Sequence, residues 1–128
     1  FGEVFIKRGL MPDGGGTFLL PRIVGLGRAL ELMFVGDMIE SAEALQLGIL
    51  NRIVADEAAA IAYAQRIAAG PPLVLREVKR AVYASLSRPF DAALEAEVDG
   101  QLRLLGSADF AEGVTAFFAK RPPEFQGK

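Results

Sequence analysis

Apolar residues recur along most of this chain at intervals of three and four, the spacing that lines one face of a helix. The pattern is clearest between Pro72 and Phe118. Leu75, Val78, Val82 and Leu86 form one stripe, and Leu94, Val98, Leu102 and Leu105 form another. Pro71 and Pro72 are placed to open the first of these helices, where a missing N–H costs no bond, and Pro89 to open the second. Ser107 is placed to cap a last helix that runs through Phe118. Upstream, "EAAAIAYAQRIAA" (57–69) predicts a helix capped by Asp56 and closed by Gly70, and "SAEALQLG" (41–48) a short one with Ser41 as N-cap. "GRALELMFVG" (27–36) puts Leu30, Met33 and Phe34 on one helix face. "GGGTFLLPRIVG" (14–25) predicts a helix that begins after the glycines and that Pro21 ends or bends.

Two segments read differently. "FGEVFI" (1–6) alternates, with Val4 and Ile6 on one side and Phe5 on the other, and "ILNRIV" (49–54) is the best strand after it. The expected fold is therefore mostly α with two short β-strands, organised as residues 1–55 followed by a helical region, 56–128. Two such strands form no sheet of useful size by themselves, so the rest of the sheet is expected outside this chain.

Composition sharpens the picture. The chain has 128 residues and is 52% hydrophobic, with a mean hydropathy of +0.30. No apolar run approaches the ~18 residues that would cross a bilayer, so no membrane partner is expected. The apolar surplus is expected at a subunit interface or against a missing part of the same polypeptide. The chain begins at Phe1, without an initiator Met, which also points to a fragment. A formal net charge of −2 leaves no basic face for nucleic acid. With no Cys there is no disulfide framework, and a cytoplasmic location fits. With neither Cys nor His, thiol nucleophiles, His bases, Ser-His-Asp triads and ordinary zinc sites are excluded, and no metal site is expected. Carboxylates, Lys, Arg, Tyr, hydroxyls and backbone N–H groups remain for any chemistry.

One stretch concentrates such groups. "GLMPDGGGTFLLPR" (9–22) sets Asp13 against three glycines at the mouth of a helix. Either Asp13 caps that helix, or the glycines let a ligand approach the backbone with the carboxylate in reach. No Lys-Ser/Thr pair follows Gly14, Gly15 and Gly16, so this is not a Walker-type phosphate loop.

Four pieces in order resemble the enoyl-CoA hydratase/isomerase (crotonase) superfamily: "FGEVFIKRGLMPDGGGTFLLPRIVG", "ALELMFVGDMIESAEALQLGILNRIV", "PPLVLREVKRAV" and "SADFAEGVTAFFAKRPPEF". The opening and closing pieces look most like the phenylacetate-pathway isomerase branch. The resemblance covers the whole chain and implies the C-terminal half of a crotonase-like α/β fold, a spiral of strand-strand-helix units followed by a helical trimerisation region. It implies an acyl-CoA thioester as substrate, with coenzyme A as part of that substrate and no separate cofactor, and a homo-oligomer, trimer or hexamer. Two backbone N–H groups of such enzymes hold the thioester oxygen as it gains enolate charge. Both belong to the half upstream, so the fragment alone is expected to be inactive.

The resemblance also implies roles residue by residue. Hydratases of the family carry a catalytic Glu where this chain has Phe5. That departure counts against plain water addition, which uses two carboxylates, and Glu3 is the only acid nearby. Asp13 falls where isomerase-like members place a base facing the carbons next to the thioester. Phe5, Pro12, Gly14 and Gly15 would contact the substrate. Phe117 and Lys120 fall where members set an aromatic ring and an ammonium against the adenine and 3′-phosphate of CoA, often of a neighbouring subunit; Arg121 is a weaker candidate. An enoyl-CoA hydratase and a catalytically inactive CoA-thioester binding or assembly module are the alternatives to an isomerase.

Overall fold

In the computed structural model, which describes residues 1–128, every segment with helical spacing is a helix, and there is no β-strand. The chain forms two units, Phe1–Asp56 and Glu57–Lys128. The first holds a 3-10 helix, Val4–Arg8, then α1 (Gly16–Val24), α2 (Leu26–Val35) and α3 (Ser41–Gln46). The second holds α4 (Glu57–Ala68), α5 (Pro72–Ser85), α6 (Phe90–Leu105) and α7 (Ala108–Ala119).

In the first unit α1 and the 3-10 helix both pack on α2. The small side chain of Ala29, fully buried, lets α1 come close, and Leu20 and Met33 close over it with Val24, Leu32 and Ile49 around them. Of the face expected on α2 only Met33 is buried, while Leu30 and Phe34 are exposed. Gly36 ends α2 at φ +66°, and a Cβ there would meet Ile6 Cγ2 at 2.5 Å, so this stop needs glycine for conformation and for space.

Both expected strands are corrected. Residues 4–8 of "FGEVFI" and its continuation coil into the 3-10 helix, which Gly9 closes at φ +68° by donating its N–H to the Ile6 carbonyl. Phe1 and Ile39 do exchange both backbone hydrogen bonds, at 3.0 and 2.7 Å, yet one such pair is not a ladder. "ILNRIV" fails as a strand for a related reason. The N–H groups of Ile49 and Leu50 both turn back to the Ala44 carbonyl at the end of α3. A strand is completed by its neighbours, and alternation in the sequence does not supply one. Two smaller expectations also shift. Ser41 is the first residue of α3, not its cap, and Glu40 precedes it with no side-chain cap bond. Pro21 lies inside α1, which continues to Val24.

In the second unit α6 packs on both α5 and α7. The prolines open helices as the sequence predicts: Pro71 is the N-cap of α5 and Pro72 its first residue, and Pro89 is the N-cap of α6. Ser107 caps α7 by accepting the Phe110 N–H at 3.1 Å. Glu77 ties α5 to α6, accepting from Arg80 at 2.7 Å and from Arg103 at 2.9 Å. These bonds, that of Arg103 foremost, hold its carboxyl below the ordinary carboxylate range. The apolar stripes themselves remain exposed: Val78 and Val82 on α5, and Val98 and Leu102 on α6, are each more than half accessible.

Candidate active site

Asp13, Gly14, Gly15 and Gly16 form one tight turn. The Gly16 N–H donates to the Asp13 carbonyl at 2.9 Å, and the two central residues have φ values of +59° and +87°. Positive φ at both central positions defines a type I′ turn, which explains the pair of glycines. The turn runs directly into α1, whose N-cap is Gly15, and no side chain caps that helix. The capping role open to Asp13 from sequence is thereby removed. Its carbonyl builds the turn, while its side chain stands exposed at the helix mouth.

Around this turn the structure brings two other groups together, Pro12 and Glu3. A Cβ on Gly16 would lie 3.4 Å from Pro12 Cβ and 3.5 and 3.6 Å from the two carboxylate oxygens of Glu3. Glu3 thus packs its carboxylate on the first residue of α1, where helix N–H groups favour negative charge. Its Oε2 is buried and has no hydrogen-bond partner. Phe5 is half-buried in the adjoining 3-10 helix, and its carbonyl accepts the Leu10 N–H at 3.1 Å, which fixes the start of the loop to Pro12. The expected substrate-contacting residues Pro12, Gly14 and Gly15 and the expected base Asp13 are therefore neighbours in one loop. Arg22 is not part of it: its guanidinium stacks on Phe18, 3.5 Å from the ring centroid, and donates to the Phe18 carbonyl.

Phe117 and Lys120 lie in the second unit, at the end of α7. Phe117 is 78% exposed and meets Phe118 edge-on, with ring centroids 5.6 Å apart. Its ring also lines an apolar groove of about 420 Å³ with Val74, Phe110, Val114 and Phe125. Lys120 is exposed and follows the helix with φ +52°. Arg121, the weaker candidate for phosphate, is already engaged: it forms a fork to the Glu112 carboxylate at 2.6 and 2.8 Å. That fork, with the Glu124 N–H as a further donor, pulls the Glu112 carboxyl down to about 2.

Sequence reasoning missed two acids, Asp109 and Glu112. Asp109 is only 4% exposed, and its two oxygens accept the N–H groups of Gln126 and Gly127 at 2.7 and 2.9 Å. Their three-residue spacing on one helix face was visible, but the tail they hold gave no periodic signal.

The Enoyl-CoA hydratase/isomerase family matches over residues 1–128. A Rhodobacter capsulatus protein named "Probable enoyl-CoA hydratase" is 44% identical over all of this chain and 51% of its own length. The 1,2-epoxyphenylacetyl-CoA isomerase of Escherichia coli is 41% identical over all of this chain and 50% of its own. The crystal structure of an enoyl-CoA hydratase from Mycobacterium marinum superposes with a TM-score of 0.91 at 34% identity, covering 100% of this chain and 52% of that one. The chain belongs to the enoyl-CoA hydratase/isomerase family of enzymes. It spans about half the length of the curated relatives it matches.

Proposed function

We propose that this chain is the C-terminal part of an acyl-CoA-processing enzyme that isomerises a CoA thioester through an enolate. The single observation that carries this is the Asp13 turn: a carboxylate freed from capping, held by two left-handed glycines at the mouth of α1. In this mechanism Asp13 removes a proton alpha to the thioester carbonyl. The electron pair moves onto the thioester oxygen, where backbone N–H donors from the part of the enzyme upstream of this chain stabilise the charge. The protonated Asp13 then returns the proton to another carbon, and the double bond shifts. Phe5, in place of the hydratase carboxylate, keeps water from being held for addition. Phe117 and Lys120 take the adenine and 3′-phosphate of CoA, where an ammonium is a suitable point charge.

Hydration is the second reading. Two observations favour it: Glu3 puts another carboxylate against the Asp13 turn, and the Rhodobacter relative carries a hydratase name. Product analysis separates the two. The full-length protein is incubated with a 2-enoyl-CoA and a 3-enoyl-CoA thioester in deuterium oxide. Isomerisation gives a shifted double bond, with solvent deuterium at the carbon that receives the returned proton. Accumulation of 3-hydroxyacyl-CoA as the main product instead assigns the hydratase reading.

A further inference from the structure

We propose that Asp109 and Glu112 are positioning residues for CoA binding at the end of α7: they strap residues 121–128 along α7 and so hold Lys120 in a left-handed conformation beside Phe117. This rests on the assignment of Phe117 and Lys120 to CoA.

The end of α7 has the bonding of a Schellman motif. The Lys120 N–H reaches the Phe117 carbonyl at 3.2 Å, and the Arg121 N–H reaches the Ala116 carbonyl at 3.1 Å. Glycine is the usual residue at the left-handed position of this motif, because a Cβ there is unfavourable. Here it is Lys120, the only non-glycine residue of the chain with positive φ. A side chain kept at a glycine position, against local preference, is there for what the side chain does.

Something must then hold the turn, and the tail does. Asp109 accepts two tail N–H groups and its own N–H donates to the Lys128 carbonyl at 3.1 Å. A carboxylate this deeply buried would be costly without those bonds, so the tail and Asp109 need each other. Along the same face, the Glu112 carboxylate takes the Arg121 fork and the Glu124 N–H at 2.9 Å. One residue after Glu112, the Phe125 ring lies over Gly113, where a Cβ would stand 3.5 Å from the ring. Arg121, Glu124, Phe125, Gln126 and Gly127 are thus all fixed to α7, and the residue entering the strap is Lys120. With the strap cut, Lys120 is free to relax to negative φ and carry its ammonium away from the Phe117 end.

The test uses the full-length protein and two probes, acetyl-CoA and S-acetylpantetheine, which lacks the nucleotide. Lys120→Gly is expected to melt no lower than the parent, since glycine suits the motif, and to bind acetyl-CoA about fivefold more weakly, with S-acetylpantetheine unchanged. Glu112→Ala, at a partly buried position, and Asp109→Asn are each expected to weaken acetyl-CoA about threefold and leave S-acetylpantetheine alone. Because the strap acts through Lys120, neither should weaken binding further in the Lys120→Gly background. If Lys120→Gly leaves acetyl-CoA binding intact, the CoA assignment fails and the strap proposal falls with it. If Lys120→Gly weakens binding but the strap variants do not, or their losses simply add, the strap proposal alone is overturned. Equal losses for both probes likewise reduce Asp109 and Glu112 to fold stability.

Discussion

In the proposed mechanism Phe5 and Asp13 divide the chemistry of the site between them. Hydration of an enoyl thioester needs one carboxylate to deprotonate water and another to place it, and Phe5 supplies neither function. Its ring is half-buried, and the carbonyl behind it is tied to Leu10. Phe5→Glu would trade a packed ring for a smaller, charged group and leave a void beside it. It is therefore expected to raise crotonyl-CoA hydration in the full-length protein by less than ~10-fold, well short of what a placed acid or base contributes. A gain of ~10³-fold would show that Phe5 alone withholds hydratase activity. Glu112 makes a different kind of prediction. Its carboxyl is held near 2, against an ordinary value of 4.5, by the Arg121 fork and the Glu124 N–H. A depressed folded-state value means that its stabilising contribution is fully present above the ordinary range and is lost as pH falls toward 2. The melting temperature of the parent should thus exceed that of Glu112→Gln at pH 6, and the two should converge on acidification toward pH 3. A gap that stays constant would remove the fork as the cause.

Helices and strands differed sharply in how far the sequence disclosed them. Pro72, Pro89 and Ser107 mark helix starts through bonds made within a single turn, so the sequence placed the openings of α5, α6 and α7 correctly. Pro21 misled because an interior proline usually ends or bends a helix by removing one bond of the ladder, yet α1 continues past it to Val24. The two strand expectations rested on alternation alone. Val4 to Arg8 had a closer option, a 3-10 coil closed by Gly9, and Ile49 and Leu50 had the Ala44 carbonyl. The loop between the first coil and α1 was legible as a special backbone from its glycines. That Asp13 opens a type I′ turn, and does not cap the helix, was not, because both uses place an acid before glycines. The strap on α7 was hidden for a simpler reason: Asp109 meets Gly127 across 18 residues, a separation at which no local pattern survives.

For the complete molecule, the apolar stripes of α5 and α6 set the main expectation. Val78, Val82, Val98 and Leu102 are exposed in this chain, and each such side chain favours burial by roughly 1.5–3 kcal/mol when fully covered. The full-length protein is expected to assemble through this helical region as a trimer or a pair of trimers. Light scattering that finds a stable monomer at micromolar concentration would contradict that assembly. Turnover also belongs to the complete molecule, since the proposed oxyanion donors come from outside this chain. The most direct measurement is therefore made there, on Asp13→Asn. Asparagine matches aspartate in size and suits the first position of the turn, so folding should be little changed. Acyl-CoA binding should persist, because the thioester is held by backbone donors. The proton-shuttle mechanism predicts that turnover falls by at least ~10²-fold, and that exchange of the substrate's alpha proton with solvent deuterium falls in parallel. A variant that folds, binds acyl-CoA and keeps near-parental turnover and exchange would show that Asp13 shapes the turn and moves no proton.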